Sequence, residues 1–322
     1  MSGADWRPTA SPAILRRRAA LLDTAREFFR ERAVLEVTTP VALSATVTEV
    51  QIESIALSGP TPRFLQTSPE YPMKRLLAAG SGDIYQVCQV FRAGEIGRLH
   101  NPEFTMLEWY RLGMDLPAIM AESAALGGAL LAAGGRGPVP VEFLDYAQAF
   151  RRELQCEVHD APHTELAGLS REHGLAPGSL ATATRDELLD FLLATRVGPK
   201  LGHGRLTCLH HFPASQAALA KLDDHDPRTA QRFELYADGV ELANGYVELA
   251  DAMEQRRRFE ADLAERRRRG LPEPALDARL LAALQAGLPA CAGVAMGFDR
   301  VAMLACGASS IAEVMSLAWN RA

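Results

Sequence analysis

The chain has 322 residues, 48% hydrophobic and 23% charged, enough for a sizeable core in one large domain or one domain with an insertion, and too apolar for a disordered or fibrous protein. Its 34 Lys and Arg against 40 Asp and Glu leave a formal charge of -6, the wrong balance for gripping nucleic acid mainly by phosphate neutralisation. The cysteines Cys88, Cys156, Cys208, Cys291 and Cys306 are scattered without a Cys-x-x-Cys pair, against a disulfide framework or a zinc ribbon.

The start Met1-Ser2-Gly3-Ala4-Asp5 has no basic region leading into an apolar core, so no secretory signal is expected. The apolar run at residues 124–133 falls short of the ~20 residues that a bilayer span needs. A cytoplasmic enzyme without membrane contact is the expectation.

Ser11-Pro12 reads as a cap followed by proline at the first helical position, and Leu15, Ala19, Leu22, Ala25 and Phe29 recur at helical spacing to about residue 32. Residues 35–39 favour a strand that stops at Pro40, which predicts a helix feeding an edge strand. Residues 83–91 and 103–110 predict a hairpin whose tip, residues 92–101, is polar and cationic. Residues 115–133 and 147–196 read mostly helical, broken by Gly135, Gly137, Pro138, Pro140, Pro162 and Gly174, so a helical insertion is expected at about 145–200 within a single domain over 1–322.

Cys208, His210 and His211 offer metal-binding atoms, but alternate residues of an extended run face opposite ways, so a shared ion is not expected there. Asp238-Gly239 marks a tight hairpin and Asn244-Gly245 a bulge. In the helix at residues 251–269, Arg runs alternate with Glu254, Glu260 and Glu265, the pattern of a solvated face. Runs of strands with helices set apart predict an α+β core around an antiparallel sheet.

Alternation along the second hairpin arm puts Phe104, Met106, Glu108 and Tyr110 on one face. Ionised Glu108 buried there needs a partner, and a cation is expected. Glu234, Glu241, Asn244 and Glu248 follow on later strands, and a bulge at Asn244-Gly245 would turn Glu241 and Glu248 to one side. Such carboxylates either hold a hard cation beside phosphates or receive an ammonium group. Residues 293–300, GVAMGFDR, alternate small side chains and end with Arg300 in a first helical turn, where an anionic partner such as a polyphosphate accounts for a cation. No G-x-x-x-x-G-K-[ST] loop occurs, which excludes a P-loop as the nucleotide site.

FRAGEIGRLHNPEFTMLEWYR (residues 91–111) strongly resembles motif 2 of class II aminoacyl-tRNA synthetases, in particular the lysyl branch, and GVAMGFDR resembles motif 3. With TSPEYPMKRL (residues 67–76) and ELANGYVEL (residues 241–249) the ordered set covers most of the catalytic domain. The first helix and Pro40 resemble the weaker motif 1, which implies a homodimer. The nearest resemblance is to the lysyl-tRNA synthetase-like family that attaches β-lysine to elongation factor P. It implies the class II catalytic fold, with an antiparallel sheet flanked by helices, and use of ATP with Mg2+. The amino acid would be (R)-β-lysine or lysine, and elongation factor P the acceptor.

Only about ten residues precede the first helix, too few for the N-terminal OB-fold of lysyl-tRNA synthetases, so neither that barrel nor tRNA anticodon binding is expected. By the resemblance, Arg92 would hold the α-phosphate and reacting carboxylate, His100 and Arg300 the outer phosphates, and Phe104 and Arg300 would sandwich adenine. Asn101, Leu242 and Gly297 would also contact ATP, and Glu234 and Glu241 would hold magnesium. The family loop often reads Arg-Asn-Glu where this chain has Arg92-Ala93-Gly94, so the adenine-contacting acid is shifted to Glu95 or lost. Ser68, Pro69 and Glu70 would line the substrate site, and Glu108, Tyr110, Asn244 and Glu248 would recognise the distal ammonium. Ala295 stands where synthetases usually have Gly and would reshape that pocket. Two other readings stay open: a truncated synthetase forming lysyl-adenylate for another acceptor, and a non-catalytic regulatory paralogue.

Overall fold

A computed structural model describes residues 6–322; the start on which the signal-peptide expectation rests lies outside the described residues. Ser11 caps helix α1 (Pro12–Arg30) by accepting from the Ile14 amide, as its sequence predicts. Strand β1 (Leu35–Glu36) follows, and then β2 (Ala42–Leu43), β3 (Ala56–Leu57) and β4 (Arg63–Leu65) form a small separate sheet. Helix α2 (Glu70–Ala78) leads into β5 (Ile84–Phe91) and β6 (Glu103–Leu112), the antiparallel hairpin expected from the alternation.

Helix α3 (Leu116–Ala133) packs against α1, and its Glu122 accepts from Trp109 Nε1 of that hairpin at 3.1 Å. By length and composition alone it is apolar enough to cross a membrane, which corrects the shorter apolar run read from the sequence. Its Leu116, Ile119, Leu126, Leu130 and Leu131 are buried in the main core beside Trp109 and Phe29, the placement of a core helix.

Strand β7 (Val141–Asp145) precedes helices α4 (Tyr146–Leu154), α5 (His163–Glu172), α6 (Pro177–Leu180) and α7 (Arg185–Leu192). These helices gather a second core, in which Tyr146, Phe150, Leu188 and Leu192 meet Leu209 and Phe212 of β8 (Leu206–Pro213). Strands β9 (Thr229–Ala237) and β10 (Val240–Val247) turn through Asp238 and Gly239, both at positive φ (48° and 73°), the geometry a two-residue hairpin requires.

Helix α8 (Ala252–Arg268) is more than a solvated face. Glu254 and Glu265 do pair with Arg257, Arg258, Arg268 and Arg269. Yet Arg266 is buried and donates to the Pro272 and Glu49 carbonyls, Arg258 donates to those of Ala218 and Ala220, and Arg269 meets Glu187 of α7 at 2.8 Å. The helix is thereby tied to three separate loops and to the helical segment. Helix α9 (Ala278–Gly287), β11 (Cys291–Gly297) and α10 (Phe298–Cys306) follow, and two short 3-10 turns (Ile311–Val314 and Trp319–Arg321) come last.

The main sheet runs β1-β5-β6-β11-β10-β9-β8-β7, antiparallel except for the parallel outer pairs β1/β5 and β7/β8. No five-stranded barrel is present among the described residues. The bulge in β10 lies one turn of pleat earlier than expected: Glu241 pairs with Tyr236 and Ala243 with Leu235, which leaves Leu242 as the extra residue. Gly245 instead pairs regularly on both sides, because its missing side chain is needed for packing. An added Cβ would sit 2.6 Å from the Phe233 ring and 2.8 Å from the Gly293 carbonyl. Gly245→Ala is expected to destabilise the protein by about 1–3 kcal/mol in urea unfolding, and an unchanged midpoint would refute that packing role.

Candidate active site

Three neighbouring strands build the floor and walls of one cleft. Cross-strand register aligns Glu108 of β6 with Ala295 of β11 and Asn244 of β10, and in the next row Tyr110 with Gly293 and Tyr246. Opposed residues in an antiparallel pair share a face, so the large polar groups stand on the outer strands and the small ones form a trough between them. A methyl on Gly293 would collide with the Glu248 carboxylate and the Tyr110 ring. The bulge at Leu242 reverses the alternation, which brings Glu241 round to the side that carries Asn244, Tyr246 and Glu248. The resulting cleft holds about 1110 Å³, counting its open mouth.

One end is cationic. Arg300, in the first turn of α10, donates to the Glu241 backbone carbonyl (2.9 Å), to its carboxylate (3.3 Å) and to the Leu99 carbonyl (3.3 Å). Its other terminal nitrogen lies 2.8 Å from His100 Nε2. Burial, and then the Arg300 charge, hold His100 below the usual histidine range, so the neutral ring accepts from the guanidinium. The Arg92 guanidinium lies 5.3 Å from the Phe104 ring centre and 3.7 Å from Glu95. Phe104 is thus paired with Arg92 at the cationic end of the trough, and Glu95 is the acid beside that arginine. Asn101 is buried and pinned between the Glu103 carbonyl and the Trp319 amide.

The other end is acidic and closed. Ser68 Oγ and Tyr110 OH each donate to Glu108 at 2.8 Å, so this carboxyl meets two hydroxyls and not the cation expected of it. Neutral donors offset little of the desolvation. Burial, reinforced by nearby Glu70, pushes Glu108 up to about 8. The cation in this region is Lys74, 1% exposed, whose Nζ lies 2.5 Å from Glu248 and 2.6 Å from Glu70. Burial alone would strip its proton, but the two carboxylates outweigh that and hold it charged. Tyr246 OH completes the network on Glu70 at 3.1 Å.

Lys74 escaped the sequence reading, although Glu70 and Lys74 stand at the i,i+4 spacing that joins an acid and a base on one helix face. Glu49, pushed up to about 7 by burial and then by Glu70, also lines the cleft and lies in a loop with no pattern to mark it.

Most residues expected at the site do converge on it: Ser68, Glu70, Arg92, Glu95, His100, Asn101, Phe104, Glu108, Tyr110, Glu241, Leu242, Asn244, Glu248, Ala295, Gly297 and Arg300 all line the cleft. Pro69, Ala93, Gly94 and Glu234 do not. Pro69 caps α2, the Ala93 amide donates to the Glu53 carbonyl, and Gly94 takes φ +76° to turn the loop. Glu234 stands one strand beyond the lining, opposite Asn244 in the register and so on the same face, paired with Arg232 at 2.7 Å and accepting from Tyr236 OH at 2.6 Å. Burial and then the neighbouring Glu241 raise it to about 7. Glu234 and Glu241, close enough for the charge of one to raise the other, are a donor set that fits a divalent cation of the magnesium type.

Glu248 is pushed up to about 8 from an ordinary 4.5, chiefly by burial, against the pull of Lys74. The folded state then keeps a proton that the unfolded chain has lost, and stability falls as pH rises through that window. Lys74→Met removes the opposing cation. It is expected to lose stability more steeply than the parent between about pH 5 and 8, with about 3–5 kcal/mol missing at the upper end. Urea unfolding across that range checks this, and a pH-independent difference would count against the ion triad.

Sequence comparisons give the family. The family model for tRNA synthetases class II (D, K and N) matches residues 3–321. A protein named elongation factor P–(R)-beta-lysine ligase from Klebsiella pneumoniae (strain 342) is 46% identical over 99% of each chain. Proteins of the same name from Salmonella paratyphi A and Salmonella dublin are 45% identical over the same share. The eight-stranded mixed sheet with its flanking helices is accordingly the α+β catalytic fold of that family. The chain belongs to the class II tRNA synthetases of the D, K and N type.

Proposed function

We propose that this chain is an ATP-dependent, AMP-forming ligase that activates (R)-β-lysine as its adenylate and transfers it to a lysine ε-amino group of elongation factor P. The observation that carries the reading is the polarity of one trough. Arg92, Arg300 and neutral His100 stand at one end, and Glu70, Glu108 and Glu248 at the other. A nucleotide suits the first end and a diamino compound the second. The names of the 45–46% identical relatives favour β-lysine and elongation factor P.

The substrate carboxylate is already nucleophilic at neutral pH, so activation needs position and charge stabilisation, not a general base. Its oxygen bonds to the α-phosphorus while the bond to pyrophosphate breaks. Arg92 would hold the reacting carboxylate and α-phosphate, and Arg300 with His100 the outer phosphates. Asn101, Leu242, Gly297 and the loop through Ala93, Gly94 and Glu95 would bound the nucleotide on this reading, with Phe104 beneath the adenine. Glu234 and Glu241 would hold Mg2+, which when bound neutralises charge on the departing pyrophosphate. At the other end Glu108, Tyr110, Asn244 and Glu248 would take the distal ammonium, with Ser68, Pro69 and Glu70 beside the substrate. Ala295 would set the depth of the trough. The acceptor amine then attacks the mixed anhydride, forming an amide and releasing AMP.

On this proposal the protein works in the cytoplasm as a homodimer and as one catalytic domain, with residues 145–200 inserted, and reads no tRNA anticodon. ATP–pyrophosphate exchange is expected to be faster with (R)-β-lysine than with α-lysine, followed by transfer of label to elongation factor P. Transfer to tRNA and none to the factor would overturn the assignment, and absence of exchange by folded protein would favour a regulatory paralogue.

Glu108 must shed its proton to accept an ammonium. Since it sits at about 8, KM for the amino acid is expected to rise about tenfold per pH unit below that value. Glu108→Gln should raise KM and flatten that limb in the same exchange assay; a limb that survives the substitution belongs to another group.

A further inference from the structure

Away from the cleft, beyond β9, two histidines and two aspartates converge where β7 and β8 meet the start of α4. His211 has a φ of +57°, uncommon for a residue with a side chain, because β8 carries a bulge between His210 and Phe212. The bulge breaks the alternation that would have sent neighbouring histidines to opposite faces. Their Nδ1 atoms instead lie 2.6 Å apart. At most one of these two nitrogens carries a proton, so at least one lone pair is directed into the gap.

The carboxylates are fixed in a matching way. Asp145 uses Oδ1 to cap α4, accepting from the Ala147 and Gln148 amides, which leaves Oδ2 3.8 Å from His211 Nδ1. Asp223 uses Oδ1 to accept from the His225 and Asp226 amides, which leaves Oδ2 3.7 Å from His211 Nε2. One aspartate thus faces each nitrogen of the same ring. One donor atom each from Asp145, His210 and His211 lies within 4.8 Å of the others.

We propose that Asp145, His210 and His211 bind a divalent transition-metal ion of the zinc class, with Asp223 orienting His211 from behind, and that the ion ties the helical segment beginning at Asp145 to strand β8. Two imidazoles and a carboxylate are a common ligand set for such an ion, and a carboxylate on the far ring nitrogen is the usual support for a ligating histidine. Two nitrogens on a tetrahedral ion stand roughly 3.3 Å apart, so the imidazoles need to open by less than an ångström. Cys208, on the same strand, is no part of this set: it is buried in the main core with its thiol toward the Met120 carbonyl. Asp145, His211 and Asp223 line a cleft shared with His159, Asp226 and Arg228.

The full chain, stripped with chelator and kept free of ATP and Mg2+, is titrated with Zn2+ and with Co2+. The expected result is one tightly held equivalent, a visible cobalt spectrum typical of low coordination, and a higher thermal midpoint with Zn2+. The double variant His210→Asn, His211→Asn should lose all three while keeping its circular dichroism. Should that variant fail to fold, cobalt X-ray absorption of the parent protein decides, because imidazole ligands have a scattering signature that oxygen donors lack. Oxygen-only coordination, or equal binding by the folded double variant, overturns the proposal and leaves a hydrogen-bonded histidine pair.

Discussion

Strand β11 has to cross the middle of the sheet with almost nothing on one face, and the rest of the cleft follows from that constraint. Gly293, Ala295 and Gly297 alternate along it, and the register with β6 and β10 makes them the floor between two polar walls. Any bulk at Gly293 would strike Tyr110 and Glu248 together. The same strand runs directly into α10, so the end of the floor sets the position of Arg300 in the first helical turn. The trough and the cation at its end are therefore placed by one continuous segment.

Charge is organised along the trough, not spread through it. At the cationic end Arg300 leans on His100 and the Leu99 and Glu241 carbonyls as well as on the Glu241 carboxylate, and Arg92 meets Glu95. At the acidic end Lys74 neutralises part of the charge of Glu70 and Glu248, while Glu108 is left with hydroxyl partners alone. Burying several carboxylates without any cation would cost more than the fold could offset, and a full set of cations would leave nothing for a substrate ammonium to do. One lysine among three glutamates is an intermediate that keeps the pocket foldable and still short of positive charge.

The helical segment and α8 bear on the cleft indirectly. Arg269 of α8 meets Glu187 of α7, and Arg266 holds the Glu49 carbonyl in a loop whose Glu49 and Ile52 line the cleft. An arginine-rich helix whose spacing fits a solvated surface is in fact a set of clamps, because the long side chains reach backbone carbonyls that no sequence pattern reveals.

Local alternation and helix-cap chemistry made much legible in advance: the α1 cap at Ser11, the β5–β6 hairpin, the Asp238-Gly239 turn and the shared face of Phe104, Met106, Glu108 and Tyr110. These depend on a few neighbouring residues, so the chain by itself determined them. Tertiary structure decided what depends on pairing between distant strands. It set the bulge at Leu242 and not at Asn244-Gly245, because Gly245 is required to pack against Phe233. It gave Glu108 hydroxyl partners and moved the cation to Lys74, because α2 lies over the acidic end. It also turned His211 beside His210 through a bulge that alternation cannot foresee. Periodicity encodes which side a residue faces within one element; register, and so which groups meet, is fixed only when the elements pack.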